Sequence, residues 1–300
     1  MSLDWRSPPA AATVETVVAA EDAAVDLPPA GRRGGLRTAV GLALPPFLLF
    51  LAVVGLWYLI SYELLDPDRR FLLPPPHRVV EVAFLDSANR TDILTALWLS
   101  TWIAALGLLI AIVVGMALGI AMAQARWVER SLYPYAVILQ CVPTLALVPV
   151  IGFWFDFGLT ARLIVTVLIA LFPVVSSTLF GLQSAERGQH ELFTLHRAGR
   201  LRRLWKLQLP AAMPAVLTGF QVSATLAVVG SVVGDFFFKQ GDAGIGVLID
   251  LYRARLQSEQ LFGAALAASL LGVAAFTLFG LINRVATGGW YGSSAYDRPA

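Results

Sequence analysis

Residues that could do chemistry are few in this chain, and their spacing matches no catalytic motif. No Gly-x-x-x-x-Gly-Lys-Ser/Thr loop is present, so the chain lacks that route to ATP hydrolysis. Asp235 follows Gly234 after an apolar stretch, but Val232 stands where an aspartyl intramembrane protease needs its first glycine. Since the apolar stretches hold no second acid, catalysis by paired carboxylates has no second member. We therefore expect no catalytic residue and no enzymatic activity.

Metal-binding and redox residues are equally scattered. Cys141 is the single cysteine, which excludes an intrachain disulfide and a cysteine metal cage. It lies in an apolar run, and we expect it to be a small buried hydrophobe. His77, His190 and His196 lie outside the apolar runs, which leaves no imidazole there for proton relay. The sequence predicts no metal site and no cofactor.

The composition is that of an integral membrane protein. Hydrophobic residues make up 57% of the 300 residues and charged residues only 14%, whereas about a quarter of the residues in soluble domains are charged. The mean hydropathy is +0.71. A formal net charge of +2 is too small to indicate a nucleic-acid partner, and we exclude nucleic acid.

Six uncharged stretches are long enough for the roughly 20 residues that a bilayer crossing needs. They span residues 38–62, 93–125, 131–155, 163–185, 207–234 and 260–283. The first stretch shows no small-residue cleavage site, so we expect a retained helix rather than a signal peptide. Together these stretches predict an all-α integral membrane protein with six transmembrane helices.

The distribution of basic residues predicts the orientation. With six crossings both termini lie on one side, and fourteen of the 22 Lys and Arg residues lie on that side. Because Lys and Arg accumulate on the cytoplasmic side, we predict a multi-pass protein of the cell (inner) membrane with cytoplasmic N and C termini. The predicted organisation is a disordered cytoplasmic N-terminal tail at 1–35, a transmembrane domain at 36–288 and a cytoplasmic C-terminal tail at 289–300.

One basic segment lies between the fourth and fifth apolar stretches. Residues 191–210, ELFTLHRAGRLRRLWKLQLP, place five Lys and Arg within ten residues. Leu201, Leu204 and Trp205 keep the i, i+3, i+4 spacing of one helical face, which predicts an amphipathic helix. Charge alone would equally fit a positively charged loop that only orients the protein.

The segment resembles the coupling-loop signature of binding-protein-dependent ABC transporter permeases. In that signature Glu-Ala-Ala, a Gly, a hydrophobic residue and Leu-Pro recur at fixed offsets. Glu191 stands at the position of the Glu and Leu207 at the hydrophobic position. Leu209 and Pro210 form the closing Leu-Pro.

Two parts of the signature differ in this chain. Leu192 and Phe193 replace the paired alanines, and Arg197 stands where the family has Gly. Because Gly tolerates positive φ, we expect Gly199, two residues further on, to supply the turn instead.

The resemblance covers roughly residues 70–285. The run VPTLALVP at 142–149, the Phe-Trp-Phe at 153–155 and Phe172-Pro173 are similar to the nitrate, sulfonate and taurine branch of these permeases. This implies a type I ABC importer permease fold. The implied partners are an ATP-binding ABC subunit, an extracytoplasmic substrate-binding protein, a second permease copy or a homologous permease, and the lipid membrane. The implied solute is of the nitrate, sulfonate and taurine class, or resembles a thiamine precursor or a flavin.

The resemblance also implies the site residues. The loop at 186–210 would dock on the ATP-binding subunit, with Leu201, Leu204 and Trp205 buried in the contact. The expected coupling residues are Glu191, Arg197, Ala198, Gly199, Arg200, Leu201, Arg203, Leu204, Trp205, Leu207, Leu209 and Pro210.

The candidates for the translocation pathway are polar residues and prolines within apolar stretches. Two prolines six residues apart in the third stretch predict either an irregular helix that lines the pathway or a kinked helix that serves packing. The expected pathway residues are Gln140, Pro143, Thr144, Pro149, Gln221 and Thr225.

Three alternatives concern single features. Gly115 and Gly119 have small-xxx-small spacing, and we favour intrachain packing over a dimer seam. Asp235 precedes three phenylalanines and Lys239, and we favour a carboxylate at the membrane–water interface over an intramembrane acid. An ion-coupled secondary transporter is the alternative function, which we disfavour because the predicted spans contain no charged residue.

Overall fold

The computed structural model describes residues 35–288, and these divide after Leu56 into two units. Every regular element in this range is helical. The tails predicted at 1–35 and 289–300 lie outside the described residues, apart from Gly35. The first unit contributes only residues 35–56 to the description. Its residues Phe47, Leu49 and Phe50 are more than half exposed, as expected for a helix that faces lipid.

Eleven α-helices follow one another along residues 35–288. They are α1 (Gly35–Leu59), α2 (Pro76–Val80), α3 (Ser87–Gln124), α4 (Arg126–Cys141), α5 (Thr144–Phe155), α6 (Leu159–Gln183), α7 (Arg187–Leu195), α8 (Arg200–Arg203), α9 (Leu209–Phe237), α10 (Ile245–Ala254) and α11 (Ser258–Thr287). One-turn π-helices lie at Ile60–Leu64, Glu81–Leu85 and Leu204–Gln208, and a 3₁₀ helix lies at Pro67–Leu72.

Five helical stretches are long and apolar enough to cross a membrane. They are Leu44–Leu64, Ser87–Gln124, Leu159–Gln183, Arg200–Phe237 and Ser258–Thr287. A sixth candidate is the pair α4 and α5, whose axes are bent by 99° at the break between them. The all-helical membrane fold expected from the sequence is therefore confirmed, with six spans if the bent pair counts as one. The third span is broken rather than continuous.

A proline-rich connection follows the first span. The run at Leu73–Pro75 is not helical, because proline lacks the amide donor and clashes with a preceding turn. The indole Nε1 of Trp57 donates to the carbonyl oxygen of Pro74 at 3.0 Å, and Ser61 Oγ donates to that of Leu73 at 2.9 Å. These two bonds hold the connection against the end of the first span.

The core is built around α6, which packs against both α3 and α9. Small residues let the helices approach closely: a Cβ added at Gly115 of α3 would lie 2.7 Å from Cγ1 of Val174 on α6. One added at Gly119 would lie 2.7 Å from Cβ of Thr178. The Gly115 and Gly119 spacing therefore serves intrachain packing, as expected from the sequence.

The glycine-rich loop after α9 is also structural. Gly241 has a φ of +89°, which favours a residue without a side chain. A Cβ on Gly244 would collide with the carboxylate of Asp235, and one on Gly246 would collide with the carbonyl of Val232. These contacts seat the start of α10 against the end of α9.

The contact between α6 and α9 leads to a prediction about Gly230. A Cβ added at Gly230 would lie 2.8 Å from the Cα of Thr166, and backbone cannot move aside as a side chain can. We expect Gly230→Ala to lower the free energy of unfolding by about 1–3 kcal/mol, the usual range for overpacking. Thermal unfolding of the detergent-purified protein measures this.

Gly272→Ala is the matched control. Gly272 also lies in a helix, but its added Cβ would have its nearest neighbour, Val228 Cγ1, at 4.0 Å. This variant should be neutral or more stable by up to about 1 kcal/mol, since Ala favours the helix. Equal destabilisation by both substitutions would contradict the packing described for α6 and α9.

Candidate coupling loop and translocation path

The basic segment forms two helical pieces, and the helix expected at Leu201, Leu204 and Trp205 is the second of them. Helix α7 ends at Leu195, and α8 begins at Arg200. From Arg200 the chain continues through the π-helical turn at Leu204–Gln208 into α9, so that Arg200–Phe237 is one long helical stretch. The second half of the basic segment is therefore the first turns of a membrane-spanning helix.

The turn between α7 and α8 is made by Arg197. Arg197 has a φ of +49°, whereas Gly199 is extended with φ −64° and ψ 161°. The amide of Ala198 donates to the carbonyl oxygen of Phe193, and that of Arg197 to Thr194, each at 2.9 Å. This is the Schellman arrangement that ends many helices, and its left-handed position is usually Gly. The expectation that Gly199 supplies the turn is wrong.

A side-chain contact joins the two sides of the turn. Arg203 Nη2 donates to Thr194 Oγ1 at 2.9 Å. The amide of Arg203 also donates to the carbonyl oxygen of Gly199 at 3.0 Å, which closes the first turn of α8. Arg203 is half-buried, and this bond commits one nitrogen of its guanidinium group to the loop itself.

The apolar residues expected on one docking face point in two directions. Leu201 and Trp205 are exposed, with 71% and 66% of their surface accessible. Leu204 is only 7% exposed and packs with Leu182 and Ala212. Leu204 therefore belongs to the core of this chain, and a partner cannot reach it without a change in the packing.

The other expected coupling residues are distributed along the same loop. Glu191 is exposed on α7, while Leu207 is buried in the π-helical turn. Sequence reasoning missed two further exposed apolar residues on α7, Leu192 and Leu195, of which Leu195 is 81% exposed. Their spacing of three residues was a signal that could have found them. The half-buried Ala198 lies in the turn, Arg200 is exposed at the start of α8, and Leu209 and Pro210 begin α9.

The break in the third span occurs at Val142 and Pro143. Val142 is extended, with φ −68° and ψ 125°, because a residue before proline avoids the helical region. Pro143 has no amide hydrogen to donate, and the carbonyl oxygen of Pro143 accepts from Ala146 at 2.8 Å to start α5. Pro149 lies inside α5 without breaking it. The third span is therefore irregular, with a bend of 99° at this break.

The pathway candidates fall into two groups. Gln140, Pro143 and Pro149 are exposed on the broken span, and Thr144 is half-buried there. Cys141 is also exposed, so the expectation that it is buried is wrong.

The second group lies on α9 and faces α11. Thr225 lines a groove of about 460 Å³ between α9 and α11, whose other walls are Ser269 and apolar residues that include Val229 and Phe276. The side-chain amide of Gln221 lies against Gly280 of α11, where an added Cβ would be 2.8 Å from Nε2. The groove lined by Thr225 contains no residue of the broken span.

A buried ion pair that sequence reasoning missed connects α6 and α9. Arg162 is 2% exposed and Asp235 is fully buried, with Arg162 Nη1 at 3.2 Å from Asp235 Oδ1. The expectation of an interfacial Asp235 in contact with water is wrong, and so is the premise that the spans hold no charged residue. The signal was present, since Arg162 directly precedes the predicted stretch 163–185 and Asp235 directly follows the stretch 207–234.

Both groups of the pair have further partners. Ser100 Oγ of α3 donates to Asp235 Oδ2 and accepts from the amide of Ile245 at 2.8 Å. Arg162 Nε donates to the carbonyl oxygen of Phe238 at 2.8 Å. Its other guanidinium nitrogens donate to the carbonyl oxygens of Gln240 and Asp242, at 3.1 and 2.9 Å. The pair therefore holds three membrane helices and the loop before α10 together.

A second charge cluster lies nearby on α10. Asp250 binds Lys239 and Arg253, the latter at 2.6 Å from Nη2. The hydrogen bond from Lys239, and to a smaller extent that from Arg253, holds the pKa of the Asp250 carboxyl below its ordinary value of 3.8. The contribution of this cluster to the stability of the fold is complete above the ordinary pKa of the carboxyl. It is lost as the pH falls through the lowered pKa.

Comparison with known proteins identifies relatives across most of the chain. Residues 111–287 match the family described as binding-protein-dependent transport system inner membrane component. The formylaminopyrimidine transport permease ThiX of Halalkalibacterium halodurans is 31% identical over 234 residues, 78% of this chain and 91% of that protein. The putative aliphatic sulfonates transport permease SsuC of Escherichia coli is 28% identical over 244 residues, 81% of this chain and 91% of that protein.

One solved structure is similar in fold. It is described as an amino acid ABC transporter with histidines, and it superposes with a TM-score of 0.54 on 67% of this chain and 98% of that chain. The sequence identity is 17%, so this likeness bears on the fold alone.

The left-handed conformation of Arg197 leads to a prediction. A non-Gly residue in this region costs about 1–2 kcal/mol, and replacement by Gly removes that cost. The larger backbone entropy of Gly in the unfolded chain offsets part of this gain in stability. We expect Arg197→Gly to raise the free energy of unfolding by up to about 1 kcal/mol, and the β-branched Arg197→Val to lower it by about 1 kcal/mol or more. Chemical denaturation of the purified protein measures both.

Gly199→Ala is the control, because Gly199 is extended and an added Cβ would meet nothing within 4 Å. It should leave stability within about 0.5 kcal/mol of the native chain. A loss from Gly199→Ala with no gain from Arg197→Gly would show that the turn lies at Gly199.

Proposed function

This chain belongs to the binding-protein-dependent permease family of ABC importers, in the nitrate, sulfonate and taurine branch, and we propose that its loop at 186–210 couples it to the ATP-binding subunit. The chain is a transport component and not an enzyme, and ATP is hydrolysed by a separate subunit. This membership, rather than any lack of buried charge, decides against the ion-coupled alternative.

Exposed apolar side chains in the loop carry the proposal for coupling. Leu192 and Leu195 on α7, together with Leu201 and Trp205, are all more than half exposed. Clusters of exposed apolar residues on a soluble surface mark contacts with other proteins, and large aromatic residues contribute most to such contacts. The loop therefore offers an apolar contact with Trp205 as its anchor.

The charges of the loop fit an acidic partner surface. Arg200 and Arg202 are exposed at the start of α8, and Lys206 is exposed one turn later. Exposed charges of one sign mainly speed association with a surface of the opposite sign. We infer that they steer docking and that the apolar residues supply most of the affinity.

Movement of the docked loop would reach the membrane directly. Because α8 continues into α9, a rotation of the loop displaces a stretch that ends only at Phe237. Leu204 and Leu207 act from inside the chain in this scheme, by tying the start of this stretch to its neighbours. This is rigid-body movement of the stretch together with the helices locked to it, a common form of alternating access.

The proposed orientation follows from the same loop. An ATP-binding subunit works in the cytoplasm, so the loop at 186–210 and both chain termini lie on the cytoplasmic side, and the excess of Lys and Arg there supports this. The opposite end, with α10 and the Asp250 cluster, then faces the extracytoplasmic binding protein. The transmembrane domain, 36–288, would pair with a second copy or a homologous permease.

We propose a neutral heteroaromatic solute of the aminopyrimidine type rather than nitrate or a sulfonate. The pathway candidates Gln140, Thr144, Gln221 and Thr225 offer amide and hydroxyl groups, which suit the donors and acceptors of a neutral ring. The guanidinium group of Arg162, the one buried cation among the side chains that the structure describes, is committed to Asp235 and three carbonyl groups. The transport of formylaminopyrimidine by a relative 31% identical adds support.

The coupling role predicts the effect of removing the aromatic anchor. Trp205→Ala should reduce copurification of the ATP-binding subunit and ATP-driven uptake by about tenfold or more, because interface anchors contribute about 2 kcal/mol or more. Pull-down from membranes and uptake in proteoliposomes measure these effects. Glu191→Ala tests the acid of the signature in the same assays.

Trp98→Ala is the matched control, since Trp98 is 72% exposed on α3 and lies towards the end of that helix that is away from the loop. It should leave copurification unchanged. Normal copurification and uptake with Trp205→Ala would remove the coupling role from the loop.

The solute proposal predicts which compounds the reconstituted importer moves. Proteoliposomes that hold this permease, its ATP-binding subunit and the cognate binding protein should accumulate labelled formylaminopyrimidine on addition of ATP. A hundredfold excess of taurine or nitrate should not compete. Uptake of the anions with no uptake of the pyrimidine would overturn the proposed solute and leave the coupling role intact.

A further inference from the structure

The second half of the broken span has few contacts that fix its position. Within α5 only Val148, Ile151 and Gly152 are buried, while Phe153 and Trp154 are more than 70% exposed. The buried side of α5 packs on α6 and on the fully buried Phe238, with the partly buried Phe157 and Val233 packed against the same cluster.

Phe238 is the residue that directly follows α9. It is fully buried in a cluster with Val148 and Ile151 of α5 and with Val165 of α6. The ring of Phe157, in the connection from α5 to α6, lies 6.0 Å from the ring of Phe238. Phe238 therefore bridges the end of α9 and the buried side of α5.

The backbone of Phe238 is held as firmly as its side chain. Its amide donates to the carbonyl oxygen of Gly234 at 2.8 Å, and its carbonyl oxygen accepts from Arg162 Nε at 2.8 Å. Arg162 is fixed in turn by Asp235, three residues before Phe238. The amide of Gln240 donates to the carbonyl oxygen of Phe157 at 3.1 Å, which ties the next turn to the same connection.

We propose that Phe238, clamped by Arg162 and Asp235, transmits the movement of α9 to the second half of the broken span. Arg162 and Asp235 are positioning residues, and the apolar ring of Phe238 is the contact that moves α5. The inference rests on the proposed coupling role, which sets α9 in motion from the loop at its other end. The clamp then makes α9 and α5 move as one body.

The chemistry of the pair suits this role better than apolar packing would. A guanidinium group presents a rigid fork of donors, and Arg162 directs it at one carboxylate and three carbonyl groups. Such an arrangement fixes direction as well as distance, whereas apolar side chains of equal volume can slide. Replacement of a buried pair by apolar residues is often tolerated for stability, so stability and transmission can be separated.

The experiment uses the assembled importer in proteoliposomes, with solute taken up per ATP hydrolysed as the readout. Arg162→Leu combined with Asp235→Leu removes the fork and leaves no unpaired charge. Phe238→Ala removes only the ring that packs against α5 and leaves the ion pair in place. Both should assemble and hydrolyse ATP, and the uptake per ATP should fall about tenfold, within the range of ordinary coupling between sites.

Two further variants separate transmission from folding. Arg162→Lys keeps a positive charge beside Asp235 but loses the several donors of the guanidinium group. It should give an intermediate uptake per ATP hydrolysed. Arg78→Leu combined with Glu81→Leu removes an exposed ion pair of 3.3 Å and should give the native ratio. If Phe238→Ala does not assemble, Phe238→Leu retains most of the volume and should lower the ratio less than Arg162→Leu with Asp235→Leu.

A distance measurement gives the second readout. In a Cys141→Ser background, spin labels at Val150 of α5 and Val229 of α9 report their separation with and without ATP and vanadate. The native chain should show one narrow distribution in both states, and the paired Leu variant a broad or shifted one. Native uptake per ATP in the paired Leu variant would overturn the clamp.

The failure of the proposed function gives a different result. If the native importer takes up no solute on addition of ATP, the coupling role is wrong. The distance measurement alone then tests the link between α9 and α5. In that case, equal distributions in the native chain and the paired Leu variant would overturn the link between α9 and α5.

Discussion

The buried pair of Arg162 and Asp235 is the interaction on which the end of the helical core away from the loop depends. An unpaired charge in an apolar environment costs several kcal/mol, so each group constrains the other to remain in place. The pair forms only if the start of α6 and the end of α9 lie side by side, with Ser100 of α3 close enough to donate to the carboxylate. Satisfying this one carboxylate therefore fixes the relative positions of three helices.

The close approach that the pair requires is made possible by small residues along the same helices. Gly234 packs directly on the backbone of Arg162, where an added Cβ would lie 3.1 Å from its Cα, and Gly230 packs on Thr166 one turn further. In a membrane, where lipid offers the same apolar surroundings as a neighbouring helix, close packing and internal hydrogen bonds hold helices together. Both are concentrated on α6, which lies between α3 and α9.

The two ends of α9 consequently have opposite characters. At its beginning, the π-helical turn and the basic loop expose apolar and charged side chains to a partner. At its end, the chain is held by the buried pair and by Phe238. A helix that is open to a partner at one end and locked to its neighbours at the other is suited to carry a displacement through the membrane. This asymmetry is the structural basis of the transport role proposed for the chain.

The sequence by itself determined the membrane class, the positions of five spans, the basic loop and the family, because long apolar runs and a local motif are properties of neighbouring residues. It also located Pro143, at which the third span breaks. Only the tertiary structure decided that Leu204 is buried while Trp205 is exposed, that Arg197 rather than Gly199 makes the turn, and that Asp235 meets Arg162 instead of water. Each of these depends on residues far apart in the chain or on a backbone choice among allowed conformations, and neither is encoded in the spacing of residue types along the sequence.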